Sequence, residues 1–130
     1  MNALAVDNLH KSFGSIKAVD GVSFHVKEGE LYGLLGPNGA GKTTTISMLS
    51  GLLRPDSGNI QVLGNDFWTD PIRSQKKMGV VPQEIALYEE LSAAENLVFW
   101  GKLAGLDAKA AKLRSTELLE TLTLTDRATD

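Results

Sequence analysis

Apolar and polar positions alternate strictly near the start of the chain. Val22, Phe24 and Val26 alternate with Ser23, His25 and Lys27, so residues 21–26 are expected to form a strand with one buried face. Residues 3–9 read as an earlier strand. Lys27-Glu28-Gly29-Glu30 reads as a turn into the apolar run Leu31-Tyr32-Gly33-Leu34-Leu35, which has the pattern of a parallel strand buried on both faces. A helix is expected over residues 42–49, with Ile46, Met48 and Leu49 on its buried side. Gly51 and Pro55 are its stop signals. Arg54-Pro55-Asp56-Ser57-Gly58 is a strong turn. A strand over residues 59–63 follows, closed by Gly64-Asn65-Asp66. Residues 71–77 read as a short helix with Pro71 in its first turn, and residues 78–81 as a short strand stopped by Pro82.

From Leu91 onward the pattern becomes helical. Ser92 and Glu95 have the spacing of a capping box. Residues 108–121, rich in Ala, Leu, Lys and Glu, form the expected last helix. The order is therefore strands, helix, strands and a helical tail, with too few later strands to complete a sheet beside residues 31–35.

Composition narrows the class. The chain has 130 residues, 42% hydrophobic and 22% charged, which suits one modest globular domain. The net charge of −3 and the lack of a long basic run argue against a broad nucleic-acid footprint. With no cysteine, disulfides and thiolate metal sites are excluded. No apolar run approaches transmembrane length. The first ten residues lack the regions of a signal peptide, so a cytosolic location is expected. His10 and His25 have no ligand-like spacing and read as surface or sheet-edge residues. Phe99 and Trp100 read as packing residues.

Between the apolar run and the first helix lies Gly36-Pro37-Asn38-Gly39-Ala40-Gly41-Lys42-Thr43, which fits the phosphate-binding pattern G-x-x-x-x-G-K-[ST]. Glycines let the backbone wrap a polyphosphate with its N–H groups turned inward. Lys42 supplies a point charge for the β- and γ-phosphates. The Thr43 hydroxyl suits Mg²⁺, which prefers hard oxygen ligands. The helix that follows brings its positive dipole end to the same place. A dinucleotide-binding fold fits less well, because Gly39-Ala40-Gly41-Lys42-Thr43-Thr44 lacks the third glycine.

Several segments together resemble the N-terminal half of an ATP-binding-cassette (ABC) transporter ATPase of the drug-export type. Residues 35–44, from Leu35 to Thr44, are close to that family's P-loop. Leu9-His10-Lys11-Ser12-Phe13-Gly14 looks like its preceding segment with an adenine-stacking aromatic, and Val80-Val81-Pro82-Gln83-Glu84 looks like its Q-loop. The likeness covers essentially the whole chain. It implies an α/β P-loop NTPase fold of ABC type, with residues 1–85 or so as the ATP-binding core and about 86–130 as the start of the helical subdomain. The sheet would be incomplete. It also implies ATP and Mg²⁺ as ligands. Nucleotide would be held by Phe13, Ala18, Gly36, Pro37, Asn38, Gly39, Ala40, Gly41, Lys42, Thr43 and Thr44. Mg²⁺ would be held by Thr43 and Gln83, and Lys42 and Gln83 would be the catalytic residues. Phe13 would stack its ring on adenine; its alternative is a core aromatic. Gln83 would orient water or bind the metal; its alternative is an ordinary loop glutamine.

The resemblance further implies a separate transmembrane permease and a second ATPase domain in a head-to-tail ATP sandwich. The location would be the cytoplasmic face of the membrane, with no nucleic-acid partner. The family's acidic strand end and signature have no match here. Leu122-Thr123-Leu124-Thr125-Asp126 imitates the former, but Arg127 stands where Glu belongs. The chain is therefore expected to be a truncated part of an ATP hydrolase, inactive and poorly stable by itself. Two other readings remain open: a soluble ABC-type ATPase acting on nucleic acid or ribosomes, and a non-catalytic nucleotide-sensing module.

Overall fold

A computed structural model describes all 130 residues. The chain packs as two units, Met1–Val80 and Val81–Asp130.

The first unit is built on a long hairpin. β1 (Asn2–Phe13) turns through Gly14 and Ser15 into β2 (Ile16–Lys27). Gly14 takes φ 61°, a left-handed geometry suited to a tight turn. Both strands are longer than the alternation predicts. Their pairing, Phe13 with Ile16, Val6 with Phe24 and Leu4 with Val26, carries the hairpin beyond the alternating stretch to the Gly14-Ser15 turn. β3 (Ser57–Val62) lies antiparallel on the other edge of β1, and β4 (Asn65–Asp66) folds back on β3. The expected closing turn Gly64-Asn65-Asp66 thus ends in a short strand. The sheet order is β2-β1-β3-β4.

Val6, Leu9, Val19, Ile60 and Val62 of the sheet form a buried cluster with Met48, Leu49 and Phe67. Burying a side chain of this kind is worth about 1.5–3 kcal/mol. Met48 and Leu49 come from α1 (Lys42–Leu49), whose bounds match the expected helix. Its third buried residue is Thr45; Ile46, expected inside, is exposed. The helix is short, and Thr45 hydrogen-bonds its hydroxyl to the Gly41 carbonyl oxygen at 2.8 Å, so it can be buried without an unpaired polar group. Gly51 ends the helix at φ 77°, where an added Cβ would lie 2.7 Å from the Phe67 ring. α2 (Pro71–Gln75), capped by Asp70, is shorter than its pattern suggests.

Two expected strands do not form. Residues 30–37 have no regular structure, and Leu31 and Leu35 are 100% and 92% exposed. A parallel strand needs a neighbour on its edge, and the four antiparallel strands satisfy one another instead. Tyr32 stacks on Phe24 with ring centroids 4.9 Å apart. Residues 78–81 are likewise irregular; Met78 packs on the core while Val80 and Val81 are exposed. Both runs are apolar, but neither pairs with a strand of the sheet.

The second unit contains α3 (Ala93–Leu103), α4 (Ala108–Thr121) and a 3-10 turn, Thr125–Arg127. The capping box forms: Ser92 N–H donates to Glu95 Oε2 at 2.9 Å, and Glu95 N–H donates to Ser92 Oγ. The Ser92 N–H and then the Ser92 hydroxyl, which donates to Glu95 Oε2 at 2.8 Å, hold the Glu95 carboxyl below its ordinary pKa. Asp107 caps α4 through Ala110 N–H. Buried Asn96 accepts from Tyr88 N–H and donates to the carbonyls of Tyr88 and Leu91, which fixes the segment before α3. Phe99 and Trp100, expected as packing residues, are partly exposed and form an aromatic group with Tyr88. No helix is long and apolar enough to cross a membrane.

Candidate functional site: a phosphate-binding loop against a hairpin

The loop over residues 36–41 is shaped by its own backbone. Ala40 N–H donates to the Pro37 carbonyl at 3.1 Å, closing a turn around Asn38 and Gly39. Gly39 and Gly41 have φ 83° and 87°, conformations that L side chains rarely adopt. The two glycines differ in surroundings. Around Gly39 there is open space, whereas a Cβ on Gly41 would run into the carbonyl oxygen of Ala18 and lie 3.2 Å from Val19 Cγ2. Gly41 is thus where the loop rests on β2. Ala18 lines this junction through its backbone.

Helix α1 starts directly at Lys42. Its first backbone bond is Thr45 N–H to Gly41 O, 2.9 Å, and no side chain caps its start. The N–H groups of Lys42, Thr43 and Thr44 are therefore free of intrahelical partners. Together with the helix dipole they form an anion-binding end. Lys42 folds back over the loop, its ammonium donating to the carbonyls of Gly36 and, at 2.7 Å, Pro37. Thr43 is exposed beside it and Thr44 half-buried. The sequence-predicted residues from Gly36 to Thr44 are thus one continuous loop-and-helix element.

Phe13 lies at the end of β1, next to the hairpin turn, and is 51% exposed. The core-aromatic alternative does not hold for it. Lys11 Nζ lies 5.8 Å from its ring centroid, within cation–π range. Lys11 in turn binds Asp56 Oδ1 at 2.7 Å, while Asp56 Oδ2 accepts from Ser12 N–H at 2.7 Å. The Lys11 ammonium and then the Ser12 N–H hold the Asp56 carboxyl below its ordinary pKa. A depressed carboxyl pKa contributes stability above the ordinary value, lost as pH falls through the folded-state value. The pair thus opens only in acid. Sequence reasoning missed Lys11 and Asp56. Lys11 stands two residues before Phe13 on the same strand, but its partner lies 45 residues away in the turn before β3.

His10, expected at the surface or a sheet edge, is half-buried in the interior strand β1, with its ring between Asp20 Oδ1 and Asn8 Oδ1, each at 3.1 Å. His25 is exposed on the edge strand β2. Gln83, in the second unit, is exposed on an irregular segment. Asp126 lies exposed in the 3-10 turn beside Arg127, not at a strand end. No group of three or more His, Asp or Glu side chains could hold a metal. The loop itself offers one hard oxygen donor, the Thr43 hydroxyl, of the kind that Mg²⁺ prefers.

A glycine-shaped loop leading into an uncapped helix, with its lysine at the first helical position, defines a phosphate-binding-loop protein. The ABC transporter family pattern matches residues 19–130. The chain belongs to that family. It is 54% identical over 127 residues to the linearmycin resistance ATP-binding protein LnrL of Bacillus subtilis (strain 168), covering 98% of this chain and 41% of the relative. It is 44% identical over 124 residues to the daunorubicin resistance ATP-binding protein DrrA3 of Streptomyces coeruleorubidus, covering 95% of this chain and 39% of the relative. A solved structure of the ATP-binding subunit of an ABC transporter superposes with a TM-score of 0.82 at 31% identity. That match covers 98% of this chain and 53% of the other. The chain thus spans roughly two fifths of the length of these curated relatives.

Proposed function

We propose that this chain is the nucleotide-binding part of an ABC-type ATPase that powers export through a separate membrane permease. The observation that carries the reading is the loop from Gly36 to Thr43, seated on Ala18 through Gly41 and opening onto three unpartnered N–H groups of α1. Such a site offers a polyphosphate several backbone donors, a helix dipole and one mobile ammonium. Residues 1–85 or so act as the ATP-binding core and about 86–130 as the start of the helical subdomain.

In this reading the phosphates of ATP lie in the loop over Gly36, Pro37, Asn38, Gly39, Ala40 and Gly41 and at the N–H groups of Lys42, Thr43 and Thr44. Lys42 exchanges its carbonyl partners for phosphate oxygens. Thr43 and Gln83 serve Mg²⁺, which would neutralise phosphate charge when bound. Phe13 stacks on adenine and Ala18 lines the base side. Drug export is the role favoured by relatives named for antibiotic resistance. Phosphoryl transfer also requires an acid and the opposing face of a second ATPase domain. The site works on the cytoplasmic side, where ATP is available.

Phe13→Ala is the test of the base side. It is expected to weaken ATP and GTP alike by about 1 kcal/mol, or roughly fivefold, because stacking discriminates poorly between purines. Inorganic tripolyphosphate should bind as before. Equal titration curves for wild type and variant with both nucleotides would remove Phe13 from the site. Gln83→Ala is expected to lower kcat with little change in nucleotide Kd; an unchanged kcat with only a raised KM would mark Gln83 as a uniform binding residue.

A further inference from the structure

We propose that Asp56 and Lys11 are positioning residues for nucleotide-base binding, holding the Phe13 ring in its stacking pose from a turn that itself touches no nucleotide. The inference rests on the base-stacking role given to Phe13 above.

The geometry is a two-pronged clamp. One carboxylate oxygen of Asp56 takes the Ser12 N–H, immediately before Phe13 in the chain. The other takes the Lys11 ammonium, which lies 5.8 Å from the Phe13 ring centroid. Asp56 N–H is bound to the His10 carbonyl at 2.9 Å, so the clamp is anchored to the same strand on a third side. The Lys11 side chain is only 15% exposed, and its stem is held against the protein, leaving its head group few other positions.

The turn bearing Asp56 is fixed as well. Gly58, at φ 95°, approaches β1 so closely that an added Cβ would collide with the backbone of Asn8. Asn8 has φ 47° at an irregularity in the β1–β2 register. The end of β1 carrying Phe13 is therefore held from the β3 side by Asp56, besides its pairing with β2. A half-exposed aromatic at a hairpin tip would otherwise sample several rotamers. Fixing it beforehand spares the nucleotide the entropic cost of ordering it. The Lys11 charge also engages the ring, so the purine meets a ring whose position is already set.

The experiment compares affinities for ATP and for tripolyphosphate, which has no base. Asp56→Ala, and separately Lys11→Gln, are measured in the full chain with and without Phe13→Ala. Each clamp variant is expected to weaken ATP about two- to tenfold, the range of aromatic pairing, while leaving tripolyphosphate unchanged. In the Phe13→Ala background neither should cause a further loss. Lys11→Arg, which keeps the ion pair, should restore most of the ATP affinity. A clamp variant that melts earlier but keeps the wild-type ratio of the two affinities would overturn the proposal, reducing the pair to a loop tether. Equal losses for ATP and tripolyphosphate would also overturn it. If Phe13→Ala itself leaves the ratio unchanged, the base-stacking reading fails and the clamp's role fails with it. If only the clamp variants leave it unchanged, the stacking reading stands and the clamp proposal falls.

Discussion

Lys42→Ala is expected to abolish ATP turnover in the protein carrying this sequence and to weaken ATP binding about 10- to 150-fold. The estimate follows from charge-assisted hydrogen bonds, each worth about 1.5–3 kcal/mol. The loss in affinity is limited because the free protein already uses the ammonium: it binds the Gly36 and Pro37 carbonyls, and those bonds are given up when phosphate arrives. Turnover suffers more, since charge grows on the phosphate oxygens as the bond breaks and no other loop side chain is cationic. Lys42→Arg keeps the charge but not the compact shape, and should recover only part of the affinity. Turnover close to wild type in Lys42→Ala would contradict the assignment of this loop.

Gly41→Ala is expected to be nearly as damaging, for a different reason. Position 41 has φ 87°, and its missing Cβ is where the Ala18 carbonyl oxygen lies. Backbone strain alone costs about 1–3 kcal/mol, and the collision must also push the loop off β2. Both the affinity for ATP and the melting temperature of the first unit should fall, the affinity by at least about tenfold. Gly39→Ala is the control. Its φ is similar, 83°, but nothing lies within 4 Å of the added Cβ, so only the conformational cost, about 1 kcal/mol, applies. If Gly41→Ala proved no worse than Gly39→Ala in melting and titration, the loop would not depend on its seat at Ala18.

Local signals were legible where the chain satisfies itself locally. The end of α1 is legible in Gly51, the start of α3 in the Ser92–Glu95 box, and α4 in its run of Ala, Leu, Lys and Glu, because each of these signals acts within its own segment. The glycine-rich loop could be read because its chemistry depends on contiguous residues. Leu31 to Leu35 failed as a strand because an apolar run specifies only that burial is favourable, not that a partner edge exists; here the edges of β1 are taken by β2 and β3. Ile46 failed for a related reason. On an eight-residue helix the face that meets the sheet is set by where the loop docks, and Gly41 seats the loop so that Thr45, Met48 and Leu49 turn inward. The Asp56–Lys11 pair was invisible because a turn residue such as Asp56 is adequately explained by the turn itself; only the antiparallel docking of β3 on β1 brings it to Ser12 and Lys11.

The most direct measurement for the central claim is a residue-resolved amide map of the protein titrated with Mg·ATP, by two-dimensional ¹⁵N–¹H NMR, with Lys42→Ala as reference. A phosphate seated in the loop should shift the backbone N–H signals of Gly36 and of residues 38–44 most, saturably and in wild type far more than in Lys42→Ala. Smaller shifts should fall at Phe13 and Ala18. Tripolyphosphate should reproduce the loop shifts without those at Phe13. Saturable shifts confined to the second unit, or loop signals that do not move at saturating Mg·ATP, would contradict the account.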